Sequence, residues 1–408
     1  MHDSATKRAS KSGISESFTE VEEVTMKILI DARSLGRKPS GVGMYIYNFV
    51  LGILKIEEDA VALITDVKSS EEIKYLENQH VKIFTYGKEI RKNLELYPYY
   101  RYVQRCINEY QPDIFWEGNN LFPIKIVNKY GKMVTTIHDV FPITLPECYG
   151  KIYPYYFRYG LNNTFRYVDG ILYNSIDTKE QTEHYFKRVK KINNMISYII
   201  VNRLPKLEVE EQTNFLYIGN LEKRKGTDLL IKAYLQYIKA GGERDLYLGG
   251  KIREKEIEEQ LQKAMQITEK IKYLGYLSDE EKNEAYAQCG CFVFPSRAEG
   301  FGMPIIEALS YGKPIIASNL PIFSEIAGDT IQYFDLEKED EKSISKLEKQ
   351  MHQVKRQNVD EAEDVVERYQ EKVLTMHVLE YFRTLLGEKN GRNKINHRCD
   401  GKVETIFD

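Results

Sequence analysis

Two glutamates, Glu299 and Glu307, flank a glycine-rich turn and a proline, Pro304. The turn follows an apolar run, Cys291–Phe294, which predicts a buried strand, and proline is well suited to the first turn of a helix. Such a helix start presents unpaired backbone N–H groups and favours an anion. Carboxylates beside an anion site are suited to neutral hydroxyl groups. The pattern therefore predicts a pocket for a nucleotide that carries a sugar.

A basic pair, Arg224 and Lys225, stands just before a predicted helix, Asp228–Lys239, that Thr227 can cap. Cations at this end of a helix are disfavoured by about 0.3–1 kcal/mol each. An anion bound between them would offset that cost, which makes both residues candidates for holding a phosphate. A surface ion pair with Glu222 is the alternative interpretation.

Apolar runs alternate with helical patterns along the whole chain. The predicted strands are Met26–Ile30, Val61–Thr65, Val81–Thr85, Asp113–Trp116, Met133–Ile137, Ile171–Asn174, Tyr198–Val201, Phe215–Ile218, Leu246–Leu248, Ile271–Leu274, Cys291–Phe294 and Ile315–Ala317. Alternating strands and helices predict α/β domains with doubly wound sheets. Ligands of such sheets bind beyond the carboxyl ends of the strands, where Asp31, His138, Gly219 and Glu299 fall.

The helical patterns and a polar connector at 208–212 set the expected domain bounds. One helix is predicted from Met44, after a loop through Gly41 and Gly43. A long helical region, 87–110, is predicted to break near Pro98, and a last helix spans Ala362–Leu386. The expected parts are a disordered extension at 1–25, a first domain at 26–207, a second domain at 213–375, a helix at 376–386 that crosses back to the first domain, and a loose tail at 387–408.

Composition excludes several classes of protein. A chain of 408 residues is long enough for two domains, and a net charge of −3 argues against nucleic-acid binding. Five cysteines without metal-type spacing predict reduced thiols and a cytoplasmic location. No apolar stretch approaches the roughly 18 residues of a membrane span. The first half is mildly basic, which favours peripheral contact with an anionic membrane surface, although ordinary charge fluctuation explains it equally well.

Three segments of the chain carry a resemblance to a known family. They are YIGNLEKRKGTDLLIKAY (217–234), FPSRAEGFGMPIIEALSYGKPIIASNLPIFSEIA (294–327) and TTIHDVFPITLPE (135–147). Together they resemble family 4 glycosyltransferases of the GT-B fold, over about residues 26–386. The resemblance implies two Rossmann-like domains that face each other across a cleft, with the acceptor on the first domain. It also implies sugar transfer from a nucleotide-diphosphate donor with retention of configuration and without a cofactor.

The resemblance assigns a role to each candidate residue. Glu299 would contact hydroxyls of the transferred sugar, Glu307 would hold the ribose, and Lys225 and Arg224 would neutralise the diphosphate. His138 would face the sugar from the first domain, although a satisfied core histidine is the plainer interpretation. The other candidate donor-binding residues are Gly41, Gly43, Gly219, Asn220, Phe301, Gly302, Met303 and Pro304. Many relatives carry arginine where this chain has Asn220, and Arg224 is expected to supply that charge.

The sequence therefore predicts a glycosyltransferase that moves a hexose onto a glycan or lipid-linked acceptor during surface polysaccharide assembly. The donor is expected to be linked to GDP or UDP, with mannose weakly favoured as the sugar. No Asp-x-Asp pair occurs in the chain, which fits charge neutralisation by Lys225, Arg224 and a helix N-terminus in place of a metal. Two alternatives stay open: a nucleotide-sugar epimerase of the same fold, and a non-catalytic nucleotide-binding partner of another transferase.

Overall fold

The computed structural model describes residues 26–57, 60–90, 95–202, 205, 207 and 209–387. The predicted extension at 1–25 and the tail beyond Gly387 lie outside the described residues. Within the described residues the chain forms two parallel sheets. Strand residues are buried along most of both sheets, as expected where helices cover both faces.

The first domain contains a seven-stranded parallel sheet in the order β3-β2-β1-β4-β5-β6-β7 within the described residues. Its strands are β1 (Ile28–Asp31), β2 (Val61–Thr65), β3 (Lys82–Thr85), β4 (Ile114–Glu117), β5 (Lys132–Ile137), β6 (Gly170–Tyr173) and β7 (Asn193–Ile196). Its helices are α1 (Gly41–Leu54), α2 (Glu71–Asn78), α3 (Leu96–Tyr110), α4 (Phe141–Thr144), α5 (Tyr153–Thr164) and α6 (Ile176–Tyr185).

The second domain contains a six-stranded parallel sheet in the order β10-β9-β8-β11-β12-β13 within the described residues. Its strands are β8 (Phe215–Ile218), β9 (Leu246–Gly249), β10 (Ile271–Gly275), β11 (Cys291–Phe294), β12 (Ile315–Ser318) and β13 (Gln332–Phe334). Its helices are α7 (Thr227–Lys239), α8 (Lys255–Ile267), α9 (Asp279–Gln288), α10 (Met303–Ser310), α11 (Pro321–Ala327), α12 (Asp340–His352) and α13 (Val359–Glu367), and α14 (Glu371–Leu386) follows. The predicted fold class, two doubly wound α/β domains, is confirmed.

Four local predictions are wrong, and each has a physical reason. The run Tyr198–Val201 is not a strand: β7 lies before it, and Val201 donates its N–H to the Tyr369 carbonyl at 3.0 Å in the buried link between domains. Pro98 stands in the first turn of α3, where its missing N–H costs nothing. Helix α1 begins at Gly41, not at Met44, because Ser40 caps it by accepting the Gly43 N–H at 3.3 Å. The last helix is two helices, α13 and α14, separated at 368–370.

Helix α14, which begins at Glu371, crosses back onto the first domain. The Phe382 ring meets the Trp116 ring of β4 at a centroid distance of 5.6 Å. Gly52 of α1 lies directly against Thr375, so the two helices approach closely. None of the helices in the described part of the chain has the length and apolarity needed to cross a membrane.

Substitution Gly52→Ala should lower the melting temperature, because the added carbon would lie 2.1 Å from Thr375 Oγ1 and 3.1 Å from its Cβ. Overpacking of this kind costs about 1–3 kcal/mol. Trp116 is the only tryptophan of the chain and touches Phe382, so its fluorescence during thermal unfolding reports the crossing helix. Gly41→Ala is the matched control, since nothing lies within 4 Å of a Cβ at that position of the same helix. Equal melting temperatures for the two variants would contradict this packing.

Candidate active site

An ion pair between Lys225 and Glu299 lies at the carboxyl end of the second sheet. The Lys225 Nζ contacts Glu299 Oε1, and the Ser296 hydroxyl donates a hydrogen bond of 2.8 Å to the same oxygen. The two charged side chains are only 16% and 8% exposed. Sequence reasoning predicted both charged residues but not the serine that completes the contact.

The turn that carries Lys225 is brought to Glu299 by close backbone packing. Gly226 has φ +68, and a Cβ there would lie 1.9 Å from the Pro295 carbonyl oxygen, so glycine is required. The Arg297 N–H donates to the Arg224 carbonyl at 2.8 Å. Thr227 does not cap α7 as predicted: Gly226 occupies the cap position in a left-handed conformation, and Thr227 is the first helical residue.

Arg297, which the sequence did not single out, ties the same turn to the helix behind it. Its guanidinium binds both carboxylate oxygens of Asp228, at 2.6 and 2.8 Å, and also contacts Asp340 at 3.2 Å. A bidentate pair of this kind fixes orientation as well as position. Asp228 is buried in the first turn of α7, so the contact holds the α7 start against the loop that carries Glu299.

Arg224 extends from the same turn toward the first domain. It donates to Glu222 Oε1 at 2.7 Å and to the Ala298 carbonyl at 2.9 Å, and its Cζ stands 5.9 Å from the Phe141 ring centroid. The ion pair with Glu222 that sequence reasoning left open is therefore formed by Arg224, whereas Lys225 binds Glu299.

Glu307 stands one turn into α10 and is bound by two side chains of α9. Tyr286 donates to it at 2.9 Å and Lys282 at 3.3 Å. A carboxylate on so apolar a helix was expected to need a partner. Nothing in the sequence indicated that Tyr286 and Lys282 would be those partners.

The α10 start combines one buried ring, that of Phe301, with a left-handed backbone conformation at Gly302. Gly302 precedes Met303 and Pro304 with φ +117, a value that glycine adopts readily. The Phe301 ring is 3% exposed and packs against Tyr369 at 5.6 Å, so Phe301 can serve a ligand only through its backbone. The first N–H groups of a helix lack partners within it and suit an anion.

His138 enters from the end of β5 and is held in one orientation. Its Nε2 lies 3.0 Å from the Gly118 carbonyl, which can only accept, so the ring is protonated there and Nδ1 is an acceptor. Its backbone N–H donates to Asn120 Oδ1 at 2.7 Å, and its ring meets Tyr45 edge-on at 4.9 Å. Burial lowers the pKa of His138 to about 4, so the imidazole is neutral at pH 7.

The two domains meet beside this histidine. A Cβ on Gly300, next to Glu299, would lie 3.0 Å from the His138 carbonyl oxygen. Burial raises the pKa of Asp139, while Arg224 of the second domain lowers it. Glu325 of α11 accepts the N–H groups of Ile176 and Asp177, at 2.7 and 3.1 Å, and so binds the α6 N-terminus of the first domain.

The remaining candidates lie around this junction. Gly219 ends β8 against Gly249, to whose carbonyl it donates at 3.0 Å, and Asn220 accepts a hydrogen bond of 3.3 Å from Arg253. Arg253, which was not predicted, therefore brings a guanidinium to Asn220. Gly41 and Gly43 form the first turn of α1, and within the described residues no hydrogen bond joins them to Glu299 or Lys225. The loop before them does reach the second domain, with Lys38 Nζ 5.2 Å from the Tyr276 ring.

Substitution His138→Gln should make the free energy of unfolding depend less on pH in acid. The folded-state pKa lies below the ordinary value of 6.5, so the unfolded chain binds the proton more readily and the free energy of unfolding falls as pH drops from about 6.5 to about 4. The variant should lose about 3 kcal/mol less than the parent across this window, measured by denaturant unfolding at several pH values. Exposed His377→Gln is the control, and identical pH profiles for all three proteins would rule out a buried neutral His138.

Residues 202–371 match the family model described as Glycosyl transferases group 1. The chain is 27% identical to O-antigen chain mannosyltransferase B of Escherichia coli, over 74% of this chain and 85% of that protein. It is 33% identical to the serotype-specific mannosyltransferase WbdA of E. coli, over 30% of this chain but only 15% of that protein. Its fold is similar to that of Anabaena HepE, whose crystal structure contains UDP and glucose. The TM-score is 0.66 and the identity is 18%, over 88% of this chain and all of HepE. The similarity to glycosyl transferases group 1 thus covers residues 202–371, which include the strands and most of the helices of the second domain.

Proposed function

We propose that the chain is a glycosyltransferase that moves a hexose, with mannose favoured, from a nucleotide-diphosphate sugar to a glycan or lipid-linked acceptor of a surface polysaccharide. The ion pair between Lys225 and Glu299, beside the α10 N-terminus, is the observation that carries the proposal. The names of the E. coli mannosyltransferases and the nucleotide bound in HepE support the substrate classes.

Donor binding would exchange the partners of this ion pair. Without a donor, Lys225 and Glu299 neutralise each other. Both side chains are largely buried, so neither charge is stable there without a partner. A diphosphate can replace Glu299 as the partner of Lys225, and hydroxyls of the donor sugar can replace Lys225 as the partner of Glu299. The site is thereby selective for a ligand that carries both groups at once.

The proposed reaction proceeds on one face of the sugar and needs no metal. Cleavage of the donor bond leaves growing negative charge on the diphosphate, which Lys225, Arg224 and the α10 N–H groups stabilise. Removal of one such fixed donor typically costs about 2.7–4 kcal/mol in the transition state. The leaving phosphate accepts the proton of the attacking hydroxyl, so the sugar keeps its configuration. Neutral His138 serves as a hydrogen-bond partner and not as a charged acid.

Approach of the two domains would exclude water from the donor. The close approach of Gly300 to the His138 carbonyl and the binding of Glu325 to the α6 N-terminus are two of the contacts between the domains near the site. Exclusion of water protects a reactive donor from hydrolysis and strengthens electrostatic interactions.

Peripheral contact with the inner face of a membrane belongs to the proposal as well. Ile152 and Tyr155 are 81% and 78% exposed beside Lys151 and Arg158, at the start of α5. Exposed aliphatic and aromatic side chains next to basic ones suit a lipid–water interface. A lipid-linked acceptor would then be presented on the side of the first domain.

Substitution Lys225→Ala should lower turnover with donor and acceptor by about 10²–10³-fold, because it removes a cation aimed at the leaving group. Lys223→Ala is the matched control: Lys223 lies in the same turn but pairs with exposed Glu256 at 2.8 Å. Rates are normalised to the folded fraction from circular dichroism, since the first variant leaves Glu299 unpaired. Equal loss of activity in both variants, or none in either, would remove Lys225 from the mechanism.

Thermal-shift measurements with nucleoside diphosphates and their sugars should identify the donor. A ligand at about 100 times its Kd adds about 2.7 kcal/mol to the free energy of unfolding. We expect GDP or UDP, and GDP-mannose above other sugars, to raise the melting temperature of the parent more than that of Lys225→Ala. Absence of any shift with every nucleotide would contradict the proposed function.

A further inference from the structure

A polar cluster lies at the carboxyl edge of the first sheet, apart from the residues discussed above. Asp31 ends β1 and Glu117 ends β4, and the two are direct partners in the parallel register. Both side chains are fully buried. With Arg33, Tyr99, Tyr100 and Tyr156 they form what we call the Arg33 cluster.

The two carboxyl groups of the cluster are well held. Tyr99 donates to Asp31 Oδ1 at 2.7 Å, and Tyr100 donates to Glu117 Oε2 at 3.2 Å. Asn119 donates its backbone N–H to Glu117 Oε1 at 2.9 Å. Burial raises the pKa of both carboxyl groups, and the nearby charge of Arg33 lowers it. Two buried carboxyl groups at facing positions resist being charged together, so one proton between them would leave a single negative charge for Arg33 to balance.

Two polar groups of the cluster, the Arg33 guanidinium and the Tyr156 hydroxyl, have no hydrogen-bond partner within the described chain. The Arg33 guanidinium stands 5.4 and 5.9 Å from the ring centroids of Tyr99 and Tyr100, yet it makes no ion pair or hydrogen bond among the described residues. The Tyr156 hydroxyl is buried and also lacks a partner within the described chain. Buried polar groups are satisfied in about nine cases of ten, so the orphaned Tyr156 hydroxyl points to a ligand, and the partly exposed Arg33 guanidinium can donate to the same ligand.

The cluster adjoins the proposed reaction centre. Gly118 follows Glu117 directly, and its carbonyl receives the hydrogen bond of His138. A row of rings connects the cluster with the second domain: Tyr156 meets Tyr153, and Tyr153 stacks on Tyr149, each at 6.1 Å. Arg224 lowers the pKa of Tyr149 from the other end of this row, against the effect of burial.

We propose that Arg33 and Tyr156 bind hydroxyl groups of a neutral acceptor sugar, with Asp31 and Glu117 holding Arg33 in place. The proposal deepens the proposed function, on which it rests, by naming the subsite for the acceptor. The cluster is neutral overall and lined by aromatic rings, and this combination suits a sugar better than a phosphate. Arg33 and Tyr156 are both partly exposed, and Tyr153, 37% exposed, stands beside Tyr156.

Saturation-transfer difference NMR on the full chain can test this subsite with simple glycosides. The probes are methyl α-mannopyranoside, methyl α-glucopyranoside and methyl glucuronide, with UDP or GDP present. Tyr156→Phe removes only the unpartnered oxygen and should keep the melting temperature, while Kd for a neutral glycoside rises about threefold to tenfold, the size of one hydrogen bond. Arg33→Lys keeps the charge but loses the planar fork, and we expect a similar rise.

Two comparisons separate this subsite from other sites. Tyr159→Phe, on the same helix but 65% exposed, should bind like the parent. The two neutral glycosides should also bind more tightly than the glucuronide, since Arg33 is already balanced by the carboxyl groups of the cluster. Unchanged glycoside binding in both Tyr156→Phe and Arg33→Lys would overturn the proposal, as would preference for the glucuronide. Nucleotide binding to the parent chain is measured in parallel. If the parent chain binds no nucleotide, the proposed function itself has failed, and not only the acceptor subsite.

Discussion

The largely buried ion pair of a lysine and a glutamate constrains how the turns of the second domain are arranged. Breaking a buried ion pair leaves an uncompensated charge at a cost of about 3–5 kcal/mol, so Lys225 and Glu299 have to be placed together. They belong to turns after β8 and β11, two strands that are neighbours in the sheet although far apart in sequence. Gly226 allows the turns to touch, and Arg297 fastens one to the other through Asp228.

The same edge of each sheet carries the chemistry of both domains. Parallel strands bring their carboxyl ends to one side, so Asp31, Glu117 and His138 collect in the first domain opposite Glu299 in the second. The first set is nearly charge-balanced and wrapped in tyrosine, whereas the second pairs fixed cations with carboxylates. Two groups of side chains with different chemistry thus lie at the junction of the domains.

Much of this arrangement could be predicted from the sequence, because it depends on local patterns. Strand, glycine turn and helix start follow one another at Glu299, and the basic pair precedes a helix at Lys225. The partners of these residues could not be predicted, since Lys282, Tyr286 and Arg253 reach the site from other elements and look like ordinary surface residues. The run Tyr198–Val201 was misread because burial between domains produces the same apolar pattern as burial in a sheet. The domain bounds and the roles of individual site residues remain predictions.

The contact of Glu325 with α6 also limits how such a protein can be recombined. The carboxylate comes from the second domain, whereas the amide groups that bind it belong to the backbone of the first. Because these amides belong to the backbone, they are present whatever side chains α6 carries. Only the carboxylate on α11 has to be preserved. A hybrid that joins this first domain to the second domain of a relative would therefore need an acidic residue at the equivalent place on α11 to keep this contact.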